Sequence, residues 1–520
     1  MHSEKQFDFN NLIILEMANN HQGSVAHGKK IITSLAPVVE DAGVRAAIKF
    51  QLRDLDTFIH PHFRHSAEYK HIPRFISTAL SHADFKKLVR AAEQEGFLSM
   101  ATPSDEASVD TIEDLGIEII KVASCSAADW PLLECIAEAG KPVVCSTGGL
   151  SIEQVDNLVS FLEHRGVHFA LMHCVSIYPT PSHKLGLERI RIFKDRYPQV
   201  TIGYSTHEDP DNIDAVRIAY ANGARIFERH VGVETKDIKL NAYSSRPEQI
   251  ERWLEAYNSA VSMIGSHSAA LEPDDEDELE QLTLQMRGIY VRKKIKRGTK
   301  IKRGGVFFAM PLQKGQIPSG KWRPDLIADR DYKAREPLPE KLAPTVPTRK
   351  QIIYRAVHDI KGMLNSAHIF VNDESSVTLA HPYGIEKFFT DGWCVIECVQ
   401  NQPYRKNIII LLQGQRHPAH YQKNGEKTLQ VLSGICTIDV KGRRKILYPG
   451  DVITIPPGTW HAILESDGAI IEELTPAVVG DNVYFMDKKI NKQKEEERIT
   501  RLIHWGRHQF DTEGRPTYHD

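Results

Sequence analysis

Ile117-Glu118-Ile119-Ile120-Lys121-Val122-Ala123-Ser124 is a short, β-branched run that ends in a lysine and a hydroxyl. Apolar runs of this length, flanked by longer amphipathic stretches, are the pattern of strands in a parallel sheet covered by helices. Seven further runs of the same kind lie at residues 12–18, 46–51, 97–103, 141–147, 169–176, 201–207 and 225–233. Each is followed by a segment able to form a helix. Eight β/α repeats within about 250 residues predict a (β/α)8 barrel in preference to an open doubly wound sheet.

Polar groups recur where these runs end: Glu16, Lys49 with Gln51, Thr102, Lys121 with Ser124, Ser146 with Thr147, Ser176, Ser205 with His207, and His230. The C-terminal ends of barrel strands form the active-site face of this fold. Any one of these residues could cap a helix, but eight in phase point to a site. His207 and His230, on late strands and near Glu16, suit a divalent ion such as Mn²⁺, Zn²⁺ or Fe²⁺ with positions left open for water and substrate. Lys49, Lys121, Thr102, Ser124, Ser146 and the glycines of Ser146-Thr147-Gly148-Gly149 offer cations, hydroxyls and backbone N–H groups, the set a phosphate and a carboxylate require. A strand-end lysine can also be a Schiff-base nucleophile, so a metal-independent aldolase is a competing reading.

The remaining sequence divides at the acidic stretch Glu272-Pro273-Asp274-Asp275-Glu276-Asp277-Glu278. The expected organisation is a barrel over residues 1–268, a linker over 269–284, a small β-rich module over 285–345, a second β-rich domain of strands and turns over 346–490, and a charged tail over 491–520. At 520 residues the chain is too long for one core. A net charge of -3 with 26% charged residues gives no basic excess for nucleic acid, and no apolar stretch is long enough to span a membrane. The seven cysteines are few and odd in number, which predicts reduced thiols in a cytoplasmic protein acting on small molecules.

Glu16-Met17-Ala18-Asn19-Asn20-His21-Gln22-Gly23, Lys49-Phe50-Gln51, Ala101-Thr102-Pro103-Ser104-Asp105, Lys121-Val122-Ala123-Ser124 and His173-Cys174-Val175-Ser176-Ile177-Tyr178-Pro179-Thr180-Pro181 together resemble the sialic acid synthase family in order and spacing. The likeness runs through the whole barrel into residues 285–345, which resemble the antifreeze-like, SAF-type (β-clip) domain of that family. The resemblance implies condensation of phosphoenolpyruvate with an open-chain aldose, giving a 2-keto-3-deoxy sugar acid and phosphate. It implies Mn²⁺ (with Mg²⁺, Co²⁺ or Zn²⁺ as substitutes) on His207 and His230, and phosphoenolpyruvate held by Lys49, Lys121, Thr102, Ser124, Ser146, Tyr178 and Ser205. Glu16 would handle protons, Gln51 and Asn241 would face substrate, and the assembly would be a domain-swapped homodimer. The departures fall on the sugar side. Met310 stands where the family carries an arginine, Ser126 where it carries a glutamate, and Lys239-Leu240-Asn241-Ala242-Tyr243 where it carries Gly-Pro-Asp-His. A thioether offers none of the donors of a guanidinium, so the acceptor sugar is expected to differ.

Gly450-Asp451-Val452-Ile453-Thr454-Ile455-Pro456-Pro457-Gly458-Thr459-Trp460-His461 fits the second cupin motif, a glycine turn, a strand and a turn that delivers a histidine inward. The first motif is altered: His420 is present, Gln422 replaces the second histidine, and the carboxylate position falls on Glu426 beside Lys427. His420, Gln422, Glu426 and His461 are thus the candidate ligands of a second metal. Residues 380–485, including Gln413-Gly414-Gln415-Arg416-His417-Pro418, Glu472-Glu473 and Gly480-Asp481-Asn482, are similar to sugar-isomerase cupins. That likeness leaves open an isomerase or epimerase with Glu472 or Glu473 as base, or a sugar-binding or assembly module. A non-catalytic carbohydrate-binding protein is the third reading for the chain as a whole.

Overall fold

In the N-terminal part, eight strands alternate with helices and close on themselves in sequence order: β1 (Leu12–Glu16), β2 (Arg45–Leu52), β3 (Leu98–Pro103), β4 (Ile119–Val122), β5 (Val143–Ser146), β6 (Phe169–Cys174), β7 (Thr201–Thr206) and β8 (Ile226–His230). All neighbours are parallel, and β1 pairs with β8. The computed structural model describes residues 6–66, 68–265, 276–342, 347–372, 374–401, 403–477, 483–507 and 509–510. The chain divides into two units, Met1–Asp274 and Asp275–Asp520. The expected (β/α)8 architecture is present, each of the eight runs supplying one strand.

Side chains alternate between the faces of a strand, and this parity sorts the barrel into two cores. Ile13, Leu15, Ile48, Phe50, Ile120, Val122 and Phe227 pack outward against the helices. Leu12, Ile14, Ala47, Met100, Ile119, Val144, Ala170, Met172 and Ile226 form a separate buried cluster inside the barrel. The surrounding helices begin where the sequence supplies caps. Ser24 accepts a hydrogen bond from the His27 N–H at the start of the helix Val25–Ala42, and Ser151 and Gln154 form a capping box for Ile152–His164.

The second unit opens with the helix Glu276–Gln285. Residues 266–275, which include 269–275 of the expected linker, lie outside the described residues, and the remainder of that linker, 276–284, is helical. A small module follows, with β9 (Gly288–Val291) antiparallel to β10 (Val306–Ala309) and its own core of Ile289, Val291, Ile301, Val306, Ile317, Leu326, Tyr332 and Leu338.

Beyond it comes an antiparallel sheet: β11 (Ser376–Ala380), β12 (Trp393–Gln400), β13 (Tyr404–Gln413), β14 (His417–Gln422), β15 (Lys427–Val440), β16 (Arg443–Leu447), β17 (Val452–Ile455), β18 (His461–Pro476), β19 (Val483–Phe485) and β20 (Ile499–Leu502). Two features depart from the expected strands, turns and charged tail. Arg349–Ser366 is an 18-residue helix whose Ile352, Ile353, Ala356, Val357, Ile360 and Leu364 pack on the sheet. The segment after Asn491 is in part structural, because β20 pairs with β11 and buries Leu502, with Trp505 and Phe510 beyond it. Residues 478–482, which include Gly480-Asp481-Asn482, and residues 511–520 lie outside the described residues. All seven cysteines are free. No described helix is long and apolar enough to cross a membrane.

Candidate active site at the barrel mouth

Strand parity also places the polar residues. Glu16 lies two positions past Ile14, Lys49 two past Ala47, Thr102 two past Met100, Lys121 two past Ile119, and Ser146 two past Val144, so all five face the lumen directly above its apolar layer. Glu228 and His230 continue the same face of β8 from Ile226. The register sets Glu16 beside Lys49 on one side and beside His230 on the other, and Ser205 beside Glu228.

Four charges form the base of the site. Lys49 Nζ lies 2.5 Å from Glu16 Oε2 and 2.7 Å from Glu228 Oε1. Lys121 Nζ lies 3.4 Å from Glu228 Oε2 and donates to Ser146 Oγ. The second oxygen of Glu16 accepts the Ala18 N–H at 2.5 Å. All four charged side chains are at most 4% exposed. Burial disfavours the charged form of both lysines. At Lys49 the two adjacent carboxylates outweigh it and the pKa is raised, whereas at Lys121 burial, helped by the nearby Lys49 ammonium, outweighs Glu228 and the pKa is lowered. Burial pushes Glu228 up, but Lys121 and Lys49 together hold it well below the usual carboxylate range.

Glu228 was absent from the site expected from sequence, although it bridges both lysines. The usable signal was its parity with Ile226 and His230.

The two histidines stand close together, with ring centroids 5.3 Å apart. His207 Nδ1 donates to the Val175 carbonyl at 2.9 Å, since a carbonyl can only accept, which leaves the Nε2 lone pair free. Buried His230 Nδ1 has no hydrogen-bond partner among the described residues. Burial lowers both imidazoles to about 3, assisted by His230 at His207 and by Lys49 at His230, so both rings are neutral at pH 7. Neutral imidazoles with an available lone pair and an orphaned buried nitrogen fit a borderline divalent ion. Among the described residues no cluster of three or more His, Cys, Asp or Glu side chains is arranged to hold a metal, so a pair-bound ion would rely on water or substrate for its other positions.

Around the histidines lie two tyrosines, only one of them among the expected site residues. Tyr178, 51% exposed, has its ring 4.1 Å from that of His207, and Tyr243 lies 5.1 Å from His230 and 5.2 Å from Tyr178. Ser124 Oγ accepts the Gly148 N–H at 2.9 Å, and a Cβ on Gly148 would sit 2.6 Å from Ser176 Oγ. Thr102 Oγ1 is buried and unpartnered among the described residues, and Ser205 is buried. Gln51 and Asn241 are otherwise engaged: Gln51 Oε1 accepts from Arg53 Nη2 at 2.6 Å, and Asn241 Oδ1 accepts the Tyr243 N–H at 3.1 Å.

In the second sheet, β14 and β18 set His420 opposite His461, with ring centroids 4.0 Å apart. His417 joins them at 4.3 Å from His420. Gln422 is buried but donates to Thr475 Oγ1 at 2.9 Å. The structure does not bring Glu426 to this group. Glu426 is exposed, and β15 begins one residue later with Lys427, Leu429 and Val431 facing in. Glu473 faces in and Glu472 out, as successive residues of β18 must, and Glu472 pairs with Lys406.

The NeuB family profile matches residues 38–269, and the cupin-domain profile matches residues 407–470. Among curated proteins, the chain is 30% identical over 301 residues to the uncharacterized protein MJ1065 of Methanocaldococcus jannaschii, covering 58% of this chain and 84% of that one. It is 27% identical over 301 residues to the N-acetylneuraminate-9-phosphate synthase of Homo sapiens, covering 55% and 79%. A solved structure from Chromobacterium violaceum, provisionally named spore coat polysaccharide biosynthesis protein E, shares 42% identity at a TM-score of 0.61, covering 64% of this chain and 98% of that one. With an eight-stranded barrel that carries its lysines and histidines on one mouth, and with relatives matched over most of their own length, the chain belongs to the NeuB family.

Proposed function

We propose that the chain is an enzyme that condenses phosphoenolpyruvate with an open-chain aldose to give a 2-keto-3-deoxy sugar acid of the nonulosonic type and inorganic phosphate. The observation that carries this reading is the buried pair Lys49 and Lys121, held beside Glu16 and Glu228 within reach of two neutral histidines. Two ammoniums with the Ser146 and Ser124 hydroxyls form a receptor for an anion carrying both phosphate and carboxylate. His207 and His230 would hold the divalent ion, Mn²⁺ by the family resemblance, which when bound supplies Lewis-acid polarisation of the aldehyde.

The chain's own residues do the rest. The lysines offset the negative charge of the carboxylate and phosphate while C3 of phosphoenolpyruvate bonds to the aldehyde carbon, the aldehyde oxygen takes up a proton and water adds at C2. Glu16, one oxygen fixed by the Ala18 N–H, passes the first proton of that water to the aldehyde oxygen, and phosphate then leaves by C–O cleavage with the second as the C2 hydroxyl becomes the ketone. Tyr178 and Tyr243 present ring faces to the C–H faces of the sugar. The small β module is read as SAF-type and the working assembly as a homodimer, both on the family resemblance. Met310, 57% exposed on that module, stands where the family resemblance puts an arginine and offers no cationic contact.

The test is phosphate release from phosphoenolpyruvate with Mn²⁺ across a panel of aldoses that includes mannosamine derivatives. Sugar-dependent release that His207→Ala abolishes is expected, and absence of release with every sugar would refute the reading. Lys121 supports a second one: its lowered pKa is what a Schiff-base lysine needs. Metal-independent trapping of a 2-keto acid by borohydride, lost in Lys121→Met, would favour that aldolase.

A further inference from the structure

Inside the second sheet, Lys427 stands among the histidines. Its Nζ lies 2.7 Å from Glu473 Oε2 and 3.4 Å from His420 Nε2, and both Lys427 and Glu473 side chains are 10% exposed. The three imidazoles share one arrangement. His417 Nδ1 and His420 Nδ1 each lie 3.1 Å from the Pro418 carbonyl, and His461 Nδ1 lies 3.0 Å from the Thr459 carbonyl. Because those carbonyls can only accept, each Nδ1 carries the proton and each neutral ring keeps its lone pair on Nε2. Rings pinned in this way are those a metal would use, and the cupin likeness implies one. The residues do not fit it. The ammonium already takes the His420 lone pair, and its positive charge stands in the space a divalent cation would need.

What is left over describes a ligand. His461 Nε2 and Asn407 Oδ1 are buried acceptors without partners among the described residues, and His461 is only 4% exposed. Asn407 Nδ2 is held by Glu473 Oε1 at 3.0 Å, which fixes its carbonyl oxygen. Unpartnered buried acceptors call for hydroxyl donors. One ammonium and one carboxylate cancel, and the imidazoles are neutral, so the interior offers no net charge to an anion. Trp393, its ring 3.7 Å from that of His417, adds an apolar face.

We propose that the inner face of this sheet is a metal-independent site for an uncharged polyhydroxylated ligand of the sugar class, in which the Lys427 ammonium replaces the divalent cation. This site is separate from the barrel, and the inference does not depend on the condensation chemistry proposed there.

Two measurements on the full chain test it. Saturation-transfer NMR with D-mannose, D-glucose and D-xylose in EDTA is expected to show binding that Lys427→Met weakens about tenfold. The variant Lys427→Met/Glu473→Gln, which keeps the interior neutral, is expected to show the same loss with the near-UV circular dichroism of the wild type. Elemental analysis after dialysis against Mn²⁺ or Zn²⁺ is expected to give equal metal content for the wild type and His420→Gln/His461→Gln, with one more equivalent for Lys427→Glu. No transfer to any of the three sugars, transfer indifferent to Lys427→Met, or metal lost along with the two histidines would overturn the proposal. Phosphate release by the barrel, measured on the same variants, is expected to be unchanged, so either reading can fail without the other.

Discussion

Replacing Glu228 by glutamine keeps its shape and removes one negative charge from a group of two lysines and two carboxylates. Lys49 loses the partner at 2.7 Å and keeps Glu16, while Lys121 loses its carboxylate at 3.4 Å. Breaking a buried pair by removing one partner costs about 3–5 kcal/mol, since the remaining charge stays desolvated. In a barrel of this size each kcal/mol shifts Tm by roughly 2–4 °C, so the barrel should melt about 6–20 °C below wild type. The surplus cation should make the variant a better receptor for phosphate. An anion at a hundred times its Kd returns about 2.7 kcal/mol, and the tighter Kd of the variant enlarges the rescue at any fixed concentration. Differential scanning calorimetry with and without phosphate measures both effects, the barrel transition being the one that phosphate moves. A variant melting within about 2 °C of wild type, or protected less by phosphate than wild type, would refute the account of Glu228 as the shared counter-ion.

Three further outcomes are expected. His207 and His230 have pKa values near 3 in the folded barrel against about 6.5 unfolded, so their contribution to stability is whole above pH 6.5 and is lost as pH falls from there toward 3; at pH 5 the two together should cost about 4 kcal/mol, read from urea midpoints of wild type and a His207→Gln/His230→Gln variant. Gly148→Ala pushes a methyl against Ser176 and Ser124, and the KM for phosphoenolpyruvate should rise about tenfold in steady-state assays, equivalent to about 1.4 kcal/mol. Gly434→Ala places a Cβ on the Gly468 carbonyl at a positive φ of 75°, and strain of about 1–3 kcal/mol should lower the melting of the second unit while leaving the barrel transition in place.

Much of the barrel was legible because its strands are short apolar runs whose ends carry chemistry, and all eight formed where those runs lie. What was missed has a physical reason in each case. Glu228 is one of several charged residues in its run, next to Arg229, and only the alternation Ile226, Glu228, His230 shows that it faces the same lumen as the lysines. The same alternation separates Lys427 from Glu426, where a one-residue shift exchanges an internal cation for a surface carboxylate. The helix Arg349–Ser366 falls inside the stretch expected to be strands and turns, although its capping box Thr348–Gln351 and its 3.6-residue period are both present in the sequence. Tyr243 reaches the histidines through a loop that returns Ser245 to pair with Val231, a tertiary event that local pattern does not encode.

The apolar cluster beneath the lysines has a kinetic consequence. Leu12, Ile14, Ala47, Met100, Ile119, Val144, Ala170, Met172 and Ile226 are all 0% exposed, so the lumen is a blind well with a sealed floor. Whatever sits on the lysines must enter before whatever sits among the rings of His207, Tyr178 and Tyr243, and it must leave after it or joined to it. For the two reactants of the proposed condensation, that geometry predicts a sequence: the phosphate-bearing molecule would load first, the sugar would close over it, and the same exit would serve the enlarged product and the freed phosphate in turn.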